Sequence, residues 1–212
     1  MTEMPESHPL GLNTSRIITF SDGVFAIVIT LLVIDLKVPQ IIAGDISAQL
    51  PGRLFDLWPK LLSYTLSFVI IGVYWVAHHH VFHYIVRVDR ISLWLNIFFL
   101  MSVAFVPFPT ALLGEYSNNR LAVIIYGVNV MATRLLLLAL WLYSIYRHRL
   151  INPEMQPATL NRVTWLILIP VGIYLFAIGL SFLSTRISLA LYFLVPLVFS
   201  VIPSRLNRGA SL

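Results

Sequence analysis

The chain contains no cysteine, and only 11% of its 212 residues are charged. The first absence excludes disulfides, thiolate metal sites and cysteine nucleophiles. The second excludes an ordinary soluble domain, in which about a quarter of the residues carry charge. Acidic residues are scarce as well, nine against fourteen Lys and Arg, which gives a net charge of +5. The basic residues are scattered between apolar runs and form no patch, so they read as anchors on an anionic membrane surface and not as a nucleic-acid footprint. The opening MTEMPESHPLGLNTS has neither the basic start nor the small-residue cleavage site of a signal peptide, and is expected to be a polar tail.

What is present is apolar length. Hydrophobic residues make up 58% of the chain, and the mean hydropathy is +0.87. A helix crossing about 30 Å of hydrocarbon needs roughly 20 residues. Six stretches are expected to serve: Ile17–Val38, Leu57–His78, Ile91–Leu113, Leu121–Tyr146, Val163–Leu183 and the shorter Ser188–Ile202. The segments between them are too short for a second domain and read as breaks, VPQIIAGDISAQLPGR and GEYSNNR among them. The expected fold is an all-α integral membrane protein: a tail over 1–15, a six-helix membrane domain over 16–204 and a tail over 205–212. With the N-terminus inside, the inner side holds Arg16, Arg87, Arg90, Arg147, Arg149, Arg162, Arg205 and Arg208. The outer side holds Lys37, Arg53, Lys60, Arg120 and Arg186. Eight against five favours both termini in the cytoplasm. Trp58, Trp75, Tyr143 and Tyr146 suit interfacial belts, and Pro170 and Pro196 are expected to kink the last two spans.

The first span, RIITFSDGVFAIVITLLVIDLKV, carries Arg16, Ser21 and Asp22 near its start. A charge inside a bilayer costs at least about 2.5–3.5 kcal/mol unless it is paired or wet. On an ideal helix, Gly23, Ile27, Leu31, Ile34 and Val38 fall within about 40° of Ile27. Thr30 lies about 60° to one side and Asp22 about 140° away. The span therefore has a narrow aliphatic seam with one hydroxyl beside it, the stripe of a lipid-facing or helix-packing surface, and its acidic residue turned elsewhere. Arg16 and Asp22 stand about 120° apart on that helix, so their partners are expected on other spans. Asp35, near the outer end, is expected to pair with Lys37 or to stand solvated, or, were the span to line a pore, to concentrate cations at its mouth.

Two other signals stand apart from the seam. His79 and His83, in the run from His78 to His83, form an i, i+4 pair that could share a metal, although no carboxylate on that span completes a set. A pH response through these histidines is another use for them. Arg134, in the middle of the fourth span, must find a partner, either Asn129 five residues back or a group on another helix or subunit. Asp22 with the histidines would serve an intramembrane metal-binding protein, or an enzyme; Asp22 alone would serve a proton-coupled cation transporter.

Arg16-x-x-x-Phe20-Ser21-Asp22-Gly23, followed directly by VFAIVITLLV, resembles the signature of the transmembrane protein 175 family of potassium channels, which lack a TVGYG filter. Tyr74-Trp75-Val76-Ala77-His78-His79-His80, Asn96 and Phe105-Val106-Pro107-Phe108-Pro109-Thr110 look like further family features. The resemblance implies a six-span subunit, a homotetramer around one potassium-conducting pore lined by the first helix, no enzymatic activity and no cofactor. It implies that Ile27, Leu31 and Ile34 are successive constrictions forming a hydrophobic gate, and that Thr30 supplies selectivity. It also implies that Arg16, Phe20, Ser21 and Asp22 join Trp75 and either His78 or His79 in a polar network behind the pore. A prokaryotic cell membrane is the implied location.

Overall fold

The structure, a computed structural model, describes residues 14–41 and 44–206, with side chains through Val198. The expected tails, and the side chains of Arg205 and Arg208, lie almost wholly outside the described residues. The described chain is helical: α1 Thr14–Leu31, a 3₁₀ turn Leu32–Asp35, α2 Ile46–Phe55, α3 Trp58–Tyr84, α4 Arg90–Ala104, α5 Pro107–Glu115, α6 Arg120–Ile145, α7 Pro157–Leu180 and α8 Thr185–Leu206. Five segments are long and apolar enough to cross a membrane: Thr14–Asp35, Trp58–Tyr84, Arg90–Glu115, Arg120–His148 and Pro157–Leu180. The sixth expected span falls in α8, whose apolar part with described side chains, Thr185–Val198, is shorter than the other five.

Three boundaries differ from the sequence expectation. The segment after the first span, read as a break, contains α2, which Asp45 starts by accepting a hydrogen bond from the Ser47 amide at 2.9 Å. The second span runs six residues further, to Tyr84, and so holds all of His78, His79, His80 and His83 on one helix. The third span is broken between Ala104 and Pro107. Proline has no amide to donate, so the helix restarts with Pro107 in its first turn. Pro170, in contrast, lies inside α7, which continues through it from Pro157 to Leu180.

The core is organised on α6, which packs against α4, α5, α7 and α8. Its residues Val123, Tyr126, Val130, Leu137, Leu140 and Trp141 are fully buried. Gly127 permits the closest approach in this core, because a Cβ there would stand 2.7 Å from Ile178 Cγ1 of α7 and nearer still to the Tyr192 hydroxyl of α8. One end of the bundle is tied by an isolated antiparallel bridge between Ile85 and Ile151. Beside it, Asp89 caps α4 through the Ser92 amide at 2.8 Å and accepts from the Tyr143 hydroxyl at 2.6 Å.

Candidate functional site

Helix α1 has two faces of different character. Ile17, Ser21, Phe25, Val28 and Leu32 are buried, at spacings of three and four that place them in one stripe against α3 and α4. The expected seam is the opposite face. Ile27 is 61% exposed, Leu31 42% and Ile34 64%, and Val38 and Phe20 are exposed as well. A Cβ on Gly23 would meet nothing within 4 Å. Thr30 is exposed beside them, with its hydroxyl donating to the Ile27 carbonyl at 2.8 Å. Among the described residues, no other element of the chain covers this row.

Ser21 and Asp22 of the motif turn away from this row and make two separate links. Trp75 Nε1 of α3 donates to Asp22 Oδ1 at 2.8 Å. Ser21 Oγ donates to the Ile17 carbonyl at 2.8 Å and accepts from Asn96 Nδ2 of α4 at 3.1 Å. Asn96 Oδ1 in turn meets His78 Nε2 at 2.9 Å. Ser21, His78 and Asn96 are all buried, and the imidazole is stacked on Phe99 at 5.4 Å and flanked by Phe25 and Phe82. A buried polar group is costly when left unpaired, so the chain Ser21–Asn96–His78 fixes how α1, α3 and α4 dock.

Of the two histidines expected in the network, His78 holds the inward position. His79 is exposed and lies beside Trp75, with ring centroids 6.0 Å apart. Arg16 is exposed and makes no hydrogen bond or ion pair with Asp22, Trp75 or His78, and Phe20 points outward. Within one chain, the network therefore excludes two of its expected members. Asn96, noted in the sequence only as a likeness, is its central link. A lone amide in an apolar span signals burial, which was legible; its partners were not. No group of three or more His, Asp or Glu that could hold a metal occurs among the described residues.

At the end of the bundle reached by Leu32–Asp35, a cleft of about 320 Å³ opens between the 3₁₀ turn, α3 and α5. Asp35, Lys37, Lys60 and Glu115 line it. Asp35 does not pair with Lys37; the ion pair there joins Lys60 Nζ and Glu115 Oε2 at 2.6 Å.

These features define a multi-pass helical membrane protein whose first helix is held by buried polar links on one face and left bare on the other. The family described as the endosomal/lysosomal potassium channel TMEM175 matches residues 16–107. A Streptomyces collinus protein named as a potassium channel is 38% identical over 195 residues, covering 88% of this chain and 91% of that one. A second protein so named, from Chamaesiphon minutus, is 37% identical over 204 residues, covering 95% and 98%. The crystal structure of a lysosomal potassium-selective channel TMEM175 homolog from Chamaesiphon minutus aligns with a TM-score of 0.79 at 36% identity, over 89% of this chain and 96% of that one. The chain belongs to the TMEM175 family, a family of ion channels and not of enzymes.

Proposed function

We propose that this protein is a potassium channel in which four copies surround one pore, with Ile27, Leu31 and Ile34 of each α1 forming the constrictions. The observation that carries the reading is the bare aliphatic face of α1 opposite a face tied down by Ser21 and Asp22. The similarity to relatives named as potassium channels supports the choice of ion. Each pore helix must be held rigidly from behind while presenting nothing but side chains to the ion path, and α1 has both properties.

A ring of aliphatic side chains conducts only when wide enough to stay wet, so Ile27 can close the pore by dewetting without a charged gate. Potassium sheds part of its hydration there, and the Thr30 hydroxyl, already donating to the Ile27 carbonyl, turns its lone pairs to the ion. Selectivity built this way is weaker than that of a carbonyl filter. Arg16 and Phe20, exposed in the single chain, are assigned to contacts between subunits or with lipid. The positive bias of Arg16, Arg87, Arg90, Arg147, Arg149 and Arg162 supports an orientation with that end of the bundle, and both termini, in the cytoplasm of a prokaryotic cell.

Purified protein in potassium-loaded liposomes tests the reading. Passive flux that favours potassium over sodium, without saturation and without need of a proton gradient, is expected. Saturating flux driven by a pH gradient would replace the channel with a carrier using Asp22.

A further inference from the structure

Arg134 sits at the midpoint of the Arg120–His148 span and is only 3% exposed. Its guanidinium lies 5.7 Å from the centroid of the Tyr74 ring, which shields one face of the cation. The edges are not served: Nε and Nη1 are buried and have no hydrogen-bond partner. Asn129, five residues back, does not supply one. Its Nδ2 donates to the Ser102 carbonyl at 3.2 Å, and its Oδ1 is buried and unpaired. Of the partners the sequence left open, Asn129 therefore does not serve Arg134 within this chain.

Among the described residues, no carboxylate balances the charge. Helices α3, α4, α6, α7 and α8 contain neither Asp nor Glu over their described lengths. Asp22 is engaged by Trp75, Glu115 by Lys60, Asp45 and Asp89 cap helices, Asp35 lines the cleft, and Asp56 and Glu154 lie in connections. An unpaired buried cation is among the costliest arrangements a membrane protein can hold. Water alone would satisfy the three orphaned atoms, since it both accepts and donates, but it brings no charge. A small anion would accept from Nε–H and Nη1–H and neutralise the guanidinium.

We propose that the subunit core carries a structural site for a halide-sized anion at Arg134, closed over on one face by Tyr74. The site is separate from the proposed pore, so its test is independent of ion conduction. Nε and Nη1 are both shut off from solvent, so the ligand class is a small anion of halide size.

The test compares thermal unfolding of the purified protein in potassium chloride and in potassium gluconate at equal ionic strength, for wild type and Arg134→Met. At chloride ten times its dissociation constant, the wild-type midpoint should rise by about 3–6 °C over gluconate, with saturation. Arg134→Met should give one midpoint in both salts. Crystals of wild type grown in bromide should show an anomalous peak at the guanidinium, and this arm stands even if the variant does not fold. Equal wild-type midpoints in the two salts, or water at Arg134 with no bromide signal, would overturn the proposal.

Discussion

The link from Asn96 to His78 and Ser21 makes a quantitative prediction. Asn96→Ala removes two hydrogen bonds, at 2.9 and 3.1 Å, and leaves His78 Nε2 buried without its partner. Ser21 is less affected, because its hydroxyl still donates to Ile17. Hydrogen bonds between membrane helices average about 0.6 kcal/mol and reach about 1.7 kcal/mol, and an orphaned buried group costs about 1–3 kcal/mol. The substitution should therefore cost about 2–4 kcal/mol. His78→Phe provides the control: the ring keeps its stack on Phe99 and its neighbours Phe25 and Phe82 while needing no polar partner. In that background no orphan is left, so Asn96→Ala should cost less by about 1–3 kcal/mol. The assay is a double-mutant cycle on reversible unfolding in detergent or bicelles. Additivity within about 0.3 kcal/mol would show that the two side chains do not act as a unit and would refute the network argument.

Further substitutions probe other parts of the account. Gly127→Ala should destabilise the protein by about 1–3 kcal/mol by overpacking, because its Cβ would meet Ile178 and Tyr192; unchanged denaturation would contradict the close α6–α7–α8 contact. Gly23→Ala meets no atom within the chain, so monomer unfolding should be unchanged or stabilised by up to about 1 kcal/mol. A lowered tetramer fraction by native mass spectrometry would mark a subunit contact there. Burial pushes the Asp89 carboxyl up, but the Tyr143 hydroxyl, the Ser92 amide and hydroxyl and the Arg149 charge together hold it below the usual carboxylate range. A depressed folded-state value contributes stability above the unfolded value of about 3.9 and loses it as pH falls through the folded value. Asp89→Asn should remove that acid-limb dependence, and an unaltered pH profile of unfolding would count against the Tyr143 contact.

Much of α1 was legible before any coordinates. The seam and Asp22 separate on a helical wheel because side-chain direction follows from residue number alone, and the structure keeps Ile27, Leu31 and Ile34 away from the face that carries Ser21. The break before Pro107 was legible in principle, since proline removes a donor wherever it falls. Tertiary partners were not legible. A histidine triplet turns through about 200°, and only the position of Phe99 and Asn96 on α4 decides that His78 is the one facing inward. Arg134 shows the same limit from the other side: the sequence requires that the cation be satisfied, and Asn129 stands nearby, yet its amide faces Ser102. The α2 helix was missed because its apolar content is too low for a span, while its cap, Asp45, is one short-range signal among many in a polar loop.

The most direct measurement is potassium flux from liposomes with wild type beside Ile27→Asn. Ile27 is 61% exposed within the chain, so the substitution leaves the subunit fold intact and changes the proposed constriction alone. A polar, wettable ring is expected to raise potassium conductance and relax discrimination against sodium. Identical conductance and selectivity in the two proteins, with both folded and inserted, would mean that the bare face of α1 looks onto lipid or another helix and that the ion path lies elsewhere.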